Sequence, residues 1–100
     1  GFALLNRIKT IAETNGARFV MIYLPTPWDI ADPEDPPFGE EVFNSFCADN
    51  TTICCNPTGH LRATLPGIKD FSIESHYSPG TNLEVARYLH ECLAVRGLVR

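Results

Sequence analysis

The sequence predicts an α/β layer fold with parallel strands, and three observations lead to this class. Residues 19–24 form an unbroken apolar run, which is typical of a strand covered on both faces of a parallel sheet. A second strand pattern follows at residues 70–74, and helical patterns at residues 2–15 and 82–95 flank the two strands. We expect a partial three-layer sandwich, because two main helices and one short helix cover such a sheet incompletely.

The first helix is predicted from its apolar periodicity. Leu4, Ile8 and Ile11 share one face of residues 2–15, and the Asn-Gly pair at 15–16 supplies a left-handed stop.

The middle of the chain has weaker signals. Residues 25–39 contain five prolines and four acids, which favour an irregular surface loop. The apolar positions Val42, Phe43 and Phe46 predict a short helix within residues 39–50. In the last predicted helix, Thr81 and Glu84 have the spacing of a capping box.

Composition limits the classes of function. A chain of 100 residues with 44% hydrophobic residues, 20% charged residues and a net charge of -4 is typical of one globular domain, or of the C-terminal portion of a larger α/β domain. The negative charge argues against a nucleic-acid partner, and no apolar stretch is long enough to span a membrane. We expect further chain or a second copy to cover an open edge or face of the sheet.

Glu74 and His76 are the candidate catalytic residues. In an extended segment, side chains two positions apart point the same way, with Cα atoms about 6.6 Å apart. A carboxylate at residue 74 would accept the Nδ1 proton of His76 and leave Nε2 as a general base. The Ser-Pro-Gly turn at residues 78–80 would hold His76 rigidly before the last helix.

Three residues after the first strand are candidate substrate contacts, because the carboxyl ends of parallel strands meet at one edge: Thr26, Trp28 and Asp29. Asp29 and Asp70 are alternative acids for His76. The competing interpretations are a capping or surface role for His76 and a packing role for Trp28.

Two stretches of the sequence resemble one enzyme family. Glu-Ser-His-Tyr-Ser-Pro at residues 74–79, with the Gly-Thr-Asn-Leu-Glu-Val-Ala-Arg-Tyr-Leu that follows, resembles the last conserved block of the SGNH (GDSL-like) hydrolases, nearest to alginate-type O-acetyltransferase relatives. Gly-Ala-Arg-Phe-Val-Met-Ile-Tyr-Leu-Pro-Thr-Pro-Trp at residues 16–28 is similar to the strand that precedes that block.

The resemblance implies an incomplete flavodoxin-like SGNH fold and a serine-dependent esterase or O-acetyltransferase activity. It makes His76 the base and places Glu74 where the family usually has aspartate. The substrate would be an acylated small molecule or polysaccharide. No cofactor is expected.

The nucleophile that this family needs is not evident in the sequence. The chain has four serines, at Ser45, Ser72, Ser75 and Ser78. None follows an apolar strand in a Gly-Asp-Ser setting, so we expect the nucleophile upstream of Gly1 and an inactive isolated chain.

Four cysteines permit disulfides without fixing their pairing. Cys47 would close a short loop with Cys54 or Cys55, whereas Cys92 is expected to be a buried free thiol on the last helix. We expect no metal site, because no Cys-x-x-Cys pair occurs. The resemblance also implies an extracytoplasmic location, where disulfides form.

A second hypothesis belongs to another class of function. The chain would be a non-catalytic α/β binding module that uses Trp28 and the acidic loop to contact carbohydrate or protein. His60 and His90 enter neither hypothesis, because both are expected to face solvent without an acid at a useful spacing.

Overall fold

The computed structural model describes residues 1–31, 38–49 and 51–99. The chain is a mixed helix and strand structure in which helix predominates. The helices are α1 (Ala3–Thr14), α2 (Pro27–Ala31), α3 (Phe38–Cys47), α4 (Thr58–Thr64), α5 (Ile68–Phe71) and α6 (Pro79–Ala94). The strands are β1 (Val20–Ile22), β2 (Ile53–Cys55), β3 (Ser72–Ile73) and β4 (His76–Tyr77).

The parallel pairing of the predicted α/β class is present, but between other strands than expected. β1 pairs in parallel with β2, with Val20 opposite Ile53 and Ile22 opposite Cys55. The strand predicted at residues 70–74 is wrong for most of its length. The Gly67 carbonyl accepts the Asp70 and Phe71 amides and closes α5, which leaves only β3 extended.

Strands β3 and β4 form a separate antiparallel hairpin. The last predicted strand therefore does not continue the parallel sheet, because the chain reverses after Ile73.

The hydrophobic core lies between α4, α5 and α6. Leu61, Phe71 and Val85 are buried at its centre, one from each of these helices. Partly buried side chains surround them: Ile30, Leu65, Tyr77 and Leu89. Helix α2 packs on α4 and α5, so the helices that follow β1 and β2 are in contact.

The helix predicted in residues 39–50 is confirmed as α3, which closes a second apolar cluster. Phe43 and Phe46 are buried on this helix. The Phe46 ring meets Phe2 edge to face at 5.2 Å, and the Phe43 ring lies 5.8 Å from that of Tyr23. Aromatic packing thus joins the start of the chain and β1 to α3.

Helix α6 begins earlier than predicted, and its cap is a different residue. The Ser78 Oγ accepts the Thr81 amide at 3.1 Å, with proline at the first helical position. The predicted capping box is wrong, because Thr81 lies inside the helix and donates its hydroxyl to the Phe71 carbonyl at 2.6 Å.

Two disulfides connect the sheet to the helices. Cys47 bonds Cys54, which was one of the two pairings left open. Cys55 bonds Cys92, so the prediction of a free thiol at Cys92 is wrong. The reason is packing at long range: α6 crosses the end of β2, 37 residues away along the chain.

The apolar face of α1 is exposed. This helix has no buried residue, and the side chains of Leu4 and Ile8 are 71% and 45% exposed. Ile22 and Leu24 at the end of β1 are also exposed. Apolar side chains of α1 and of the segment around the end of β1 are therefore left exposed within the described residues, and the partial three-layer sandwich stays a prediction. No helix in this described part is long and apolar enough to cross a membrane.

Candidate functional site

The β3–β4 hairpin determines the position of His76. Glu74 and Ser75 form its two-residue turn with φ values of 50° and 68°, and Ile73 lies opposite His76. Positive φ at both central positions is the requirement of a type I′ turn, which matches the twist of a two-stranded hairpin. L-residues other than asparagine and aspartate adopt it at a cost, so the surrounding packing imposes this turn.

The turn separates the predicted catalytic pair. The predicted contact between Glu74 and His76 requires an extended backbone from residue 74 to residue 76, because side chains two positions apart share a face only in extended chain. Glu74 and His76 are both exposed, and the side chain of neither makes a hydrogen bond or ion pair in the part of the chain that the structure describes. The structure brings the two residues into one hairpin but does not join their side chains.

Tyr77 connects the His76 hairpin to the end of β1. Its hydroxyl donates to the Pro25 carbonyl at 2.8 Å, and its ring meets Phe71 edge to face at 5.2 Å. Burial, and secondarily the negative charge of Asp29, raises the pKa of Tyr77, so the hydroxyl stays protonated and keeps the hydrogen that it donates to Pro25. Tyr77 thereby attaches the hairpin that carries His76 to Pro25, the residue before Thr26.

Thr26 and Asp29 form the capping box of α2. The Thr26 amide donates to Asp29 Oδ2 at 2.8 Å, and the Asp29 amide donates to Thr26 Oγ1 at 3.3 Å. Asp29 is only 8% exposed and also accepts the Tyr23 hydroxyl at 2.7 Å. The sequence Thr-Pro-Trp-Asp is typical of a helix start, because threonine is common at the N-cap, proline at the first helical position and an acid at the third.

Burial and the hydrogen bond to Asp29 raise the pKa of Tyr23 well above its usual range. The Asp29 carboxylate therefore already accepts hydrogen bonds from Thr26, before α2, and from Tyr23, just after β1. Asp70, the other alternative acid, has an exposed side chain, and its carbonyl accepts the Ser78 hydroxyl at 2.7 Å. Substrate contact by Thr26 or Asp29 stays a prediction.

Trp28 lies on the surface of α2 with 71% of its area exposed. A tryptophan in a packing role would be covered by neighbours, so this exposure favours the interpretation of Trp28 as a contact residue. Residues 32–37 of the predicted acidic loop lie outside the described residues.

All four serines lie in the described part of the chain, and none of them hydrogen-bonds to His76. Ser78 is buried and caps α6, and Ser75 lies in the hairpin turn. Ser45 is exposed on α3, and Ser72 begins β3. None of these four serines is therefore placed as a nucleophile that His76 could activate.

An acid and histidine pair that the sequence did not predict lies between α4 and α6. His60 Nε2 is 2.8 Å from Glu84 Oε2, and Arg87 donates to Glu84 Oε1 at 2.7 Å. The hydrogen bonds from His60 and Arg87, together with the charge of Arg87, lower the pKa of Glu84. The expectation for His60 was wrong, because its partner is 24 residues away and only helix packing brings it near.

A cavity of about 450 Å³ lies between α2, α4 and α5. Ile30, Leu65, Ile68 and Phe71 are among its lining residues, together with Arg62. Sequence reasoning missed it, because its wall comes from three short helices that no local pattern brings together. No group of three or more potential metal ligands occurs among residues 1–31, 38–49 and 51–99.

No protein-family model, curated protein or solved structure shows a significant match to this chain. The resemblance to the SGNH hydrolases therefore depends on the quoted residues alone.

Proposed function

We propose that this chain supplies the histidine of a serine-dependent ester hydrolase or O-acetyltransferase site of the SGNH type. The observation that supports this is the hydrogen bond from Tyr77 to the Pro25 carbonyl, which holds the exposed His76 hairpin against the carboxyl end of β1. Ligands in open α/β sheets bind beyond the carboxyl ends of the strands. The flavodoxin-like arrangement of the complete domain is part of this proposal.

In the proposed reaction, His76 Nε2 takes the proton of a serine hydroxyl as its oxygen attacks the acyl carbonyl. The imidazolium then returns the proton to the leaving alcohol, and water or an acceptor hydroxyl removes the acyl group. The substrate is an acylated small molecule or polysaccharide, and Trp28 forms one wall of its site. The serine and the oxyanion hole lie outside residues 1–100.

Glu74 orients His76 in the assembled site. Both side chains are exposed on the same turn, and catalytic hydrogen bonds are often long or unformed before substrate and the complete site are present. A carboxylate on Nδ1 would then hold the tautomer that leaves Nε2 free.

The serine-bearing segment, or a second copy, also covers the sheet. The exposed faces of α1 and β1 place Leu4, Ile8, Ile22 and Leu24 in solvent, and burying them stabilises a complete layer. The two disulfides are compatible with an oxidising compartment, so we place the protein outside the cytoplasm.

Hydrolysis of p-nitrophenyl acetate tests this proposal. The isolated chain should show no turnover above background, whereas the native protein that carries it should lose at least about 100-fold in activity with His76→Gln, because a general base contributes at least this much. His90→Gln, which changes an exposed histidine on α6, is the matched control and should retain activity. Robust His76-dependent turnover by the isolated chain would overturn the placement of the nucleophile.

The 71% exposure of Trp28 also favours a second candidate, a non-catalytic module that binds carbohydrate or protein. For that function, Trp28→Ala would abolish binding on a glycan array while His76→Gln would leave it unchanged. For the esterase, His76→Gln should remove turnover, whether or not Trp28→Ala changes the affinity for the substrate.

A further inference from the structure

The cavity between α2, α4 and α5 has one charged residue in its wall. Its volume of about 450 Å³ falls in the range of small-molecule sites. Arg62 provides the only polar or charged side chain among the described residues that line it. A cavity of this composition combines an apolar body with a single positive charge.

The guanidinium of Arg62 has no carboxylate partner within ion-pair distance in the described part of the chain. Arg62 Nη2 donates to the Asp29 backbone carbonyl at 2.6 Å, whereas the Asp29 carboxylate is turned to Tyr23 and the Thr26 amide. Arg62 Nε is buried and has no hydrogen-bond acceptor among these residues. A buried donor without an acceptor is unfavourable, so an anion in the cavity would relieve this cost after a small rotation of the side chain.

We propose that this cavity binds a small organic anion with one carboxylate group and a short apolar body. The carboxylate accepts hydrogen bonds from Arg62, whose planar donors match its two oxygens, and Ile30, Leu65 and Ile68 contact the apolar body. A single guanidinium matches a monoanion better than a phosphate dianion, which needs more donors. The site involves neither His76 nor a serine, so it is independent of the proposed function.

An NMR titration of the ¹⁵N-labelled chain with hexanoate tests the site, with hexanol and hexyl phosphate as comparison ligands. Hexanoate should cause saturable shifts in signals of α2, α4 and α5 and move the Arg62 Nε–H signal, and it should bind more tightly than either comparison ligand. Arg62→Gln should lower the affinity for hexanoate at least about tenfold, because hydrogen bonds to a charged group are lost. Arg87→Gln on α6, which lies outside the cavity wall, should not change the affinity.

Because Arg62 also holds α2 through Asp29, a second variant keeps the test independent of folding. Ile68 lines the cavity and is 43% exposed, so Ile68→Glu places a negative charge at its rim with little loss of packing. This variant should lower the affinity for hexanoate more than the affinity for hexanol, because only hexanoate is repelled by the new negative charge. Equal affinity for hexanoate and hexanol, tighter binding of hexyl phosphate, or no saturable shift in the folded chain would each overturn the proposal.

Discussion

At the scale of single residues, the Tyr77 hydroxyl attaches the hairpin that carries His76 to the segment after β1. The hairpin that carries His76 has only four paired residues, and such a short hairpin is not stable alone in water. The edge-to-face contact with Phe71 and the hydrogen bond to Pro25 attach it to the rest of the molecule.

Tyr77→Phe should therefore lower the free energy of unfolding by about 1 to 2 kcal/mol, because the Pro25 carbonyl loses its donor while the ring stays packed. Urea denaturation measures this change. Tyr88→Phe is the matched control, since the Tyr88 hydroxyl makes no hydrogen bond among the described residues, and its effect should stay within about 0.5 kcal/mol. Equal effects of the two variants would show that the Tyr77 hydroxyl does not anchor the hairpin.

Some of the candidate site was predictable residue by residue. The rigid approach to α6 after His76 follows from Ser-Pro-Gly, and the structure places Ser78 as its cap. The turn at Glu74 was not predictable, because glutamate and serine at positive φ violate the local preference for glycine or asparagine. The positive φ at these two residues depends on tertiary packing, and no local sequence pattern predicts it.

At the scale of elements, α4 and α6 are joined by His60 and Glu84. The lowered pKa of Glu84 means that its carboxylate is more stable in the folded state than in the unfolded chain. The resulting stability is present above the ordinary pKa of 4.5 and is lost as the pH falls through the lowered folded value.

Glu84→Gln should accordingly reduce the drop in unfolding midpoint that the wild-type chain shows on acidification below pH 4.5. Thermal unfolding followed by circular dichroism between neutral and acid pH measures this difference. Glu91→Gln, an exposed position on the same helix, should keep the wild-type profile. A Glu84→Gln profile parallel to that of the wild type would contradict the role of this carboxylate.

The two disulfides should differ in their contribution to stability, because the loops they close differ in length. The loop entropy model gives about 4 kcal/mol for Cys55–Cys92, at a separation of 37 residues, and about 2.5 kcal/mol for Cys47–Cys54, at a separation of 7. Paired Cys→Ala variants and guanidinium denaturation measure both. A greater loss from removing the shorter link would contradict the expected order.

The elements that the sequence predicted are those with a long local signal. Helices α1, α3 and α6 repeat their apolar positions over several turns, and β1 is a continuous apolar run. Strand β2 has three residues, and its pairing with β1 depends on tertiary contact. Helices α4 and α5 are too short for a periodic pattern, so the core that they form with α6 was not foreseen.

At the scale of the whole molecule, the chain has two packed regions and many exposed apolar side chains. The core of α4, α5 and α6 and the aromatic cluster of α3 are well covered, whereas α1 and the end of β1 expose apolar side chains. The mixture of helices with a small parallel sheet agrees with the predicted α/β class, whereas the incomplete sandwich stays a prediction. The proposed function assigns the serine to a segment that covers the exposed faces of α1 and β1.

Labelling of the native protein that carries residues 1–100 with a fluorophosphonate probe, followed by mass spectrometry of the modified peptide, tests the proposed serine site most directly. We expect one labelled serine outside residues 1–100, with labelling lost in His76→Gln and retained in His90→Gln. Labelling that persists in His76→Gln, a labelled serine among the four in this chain, or no labelled serine at all would contradict it.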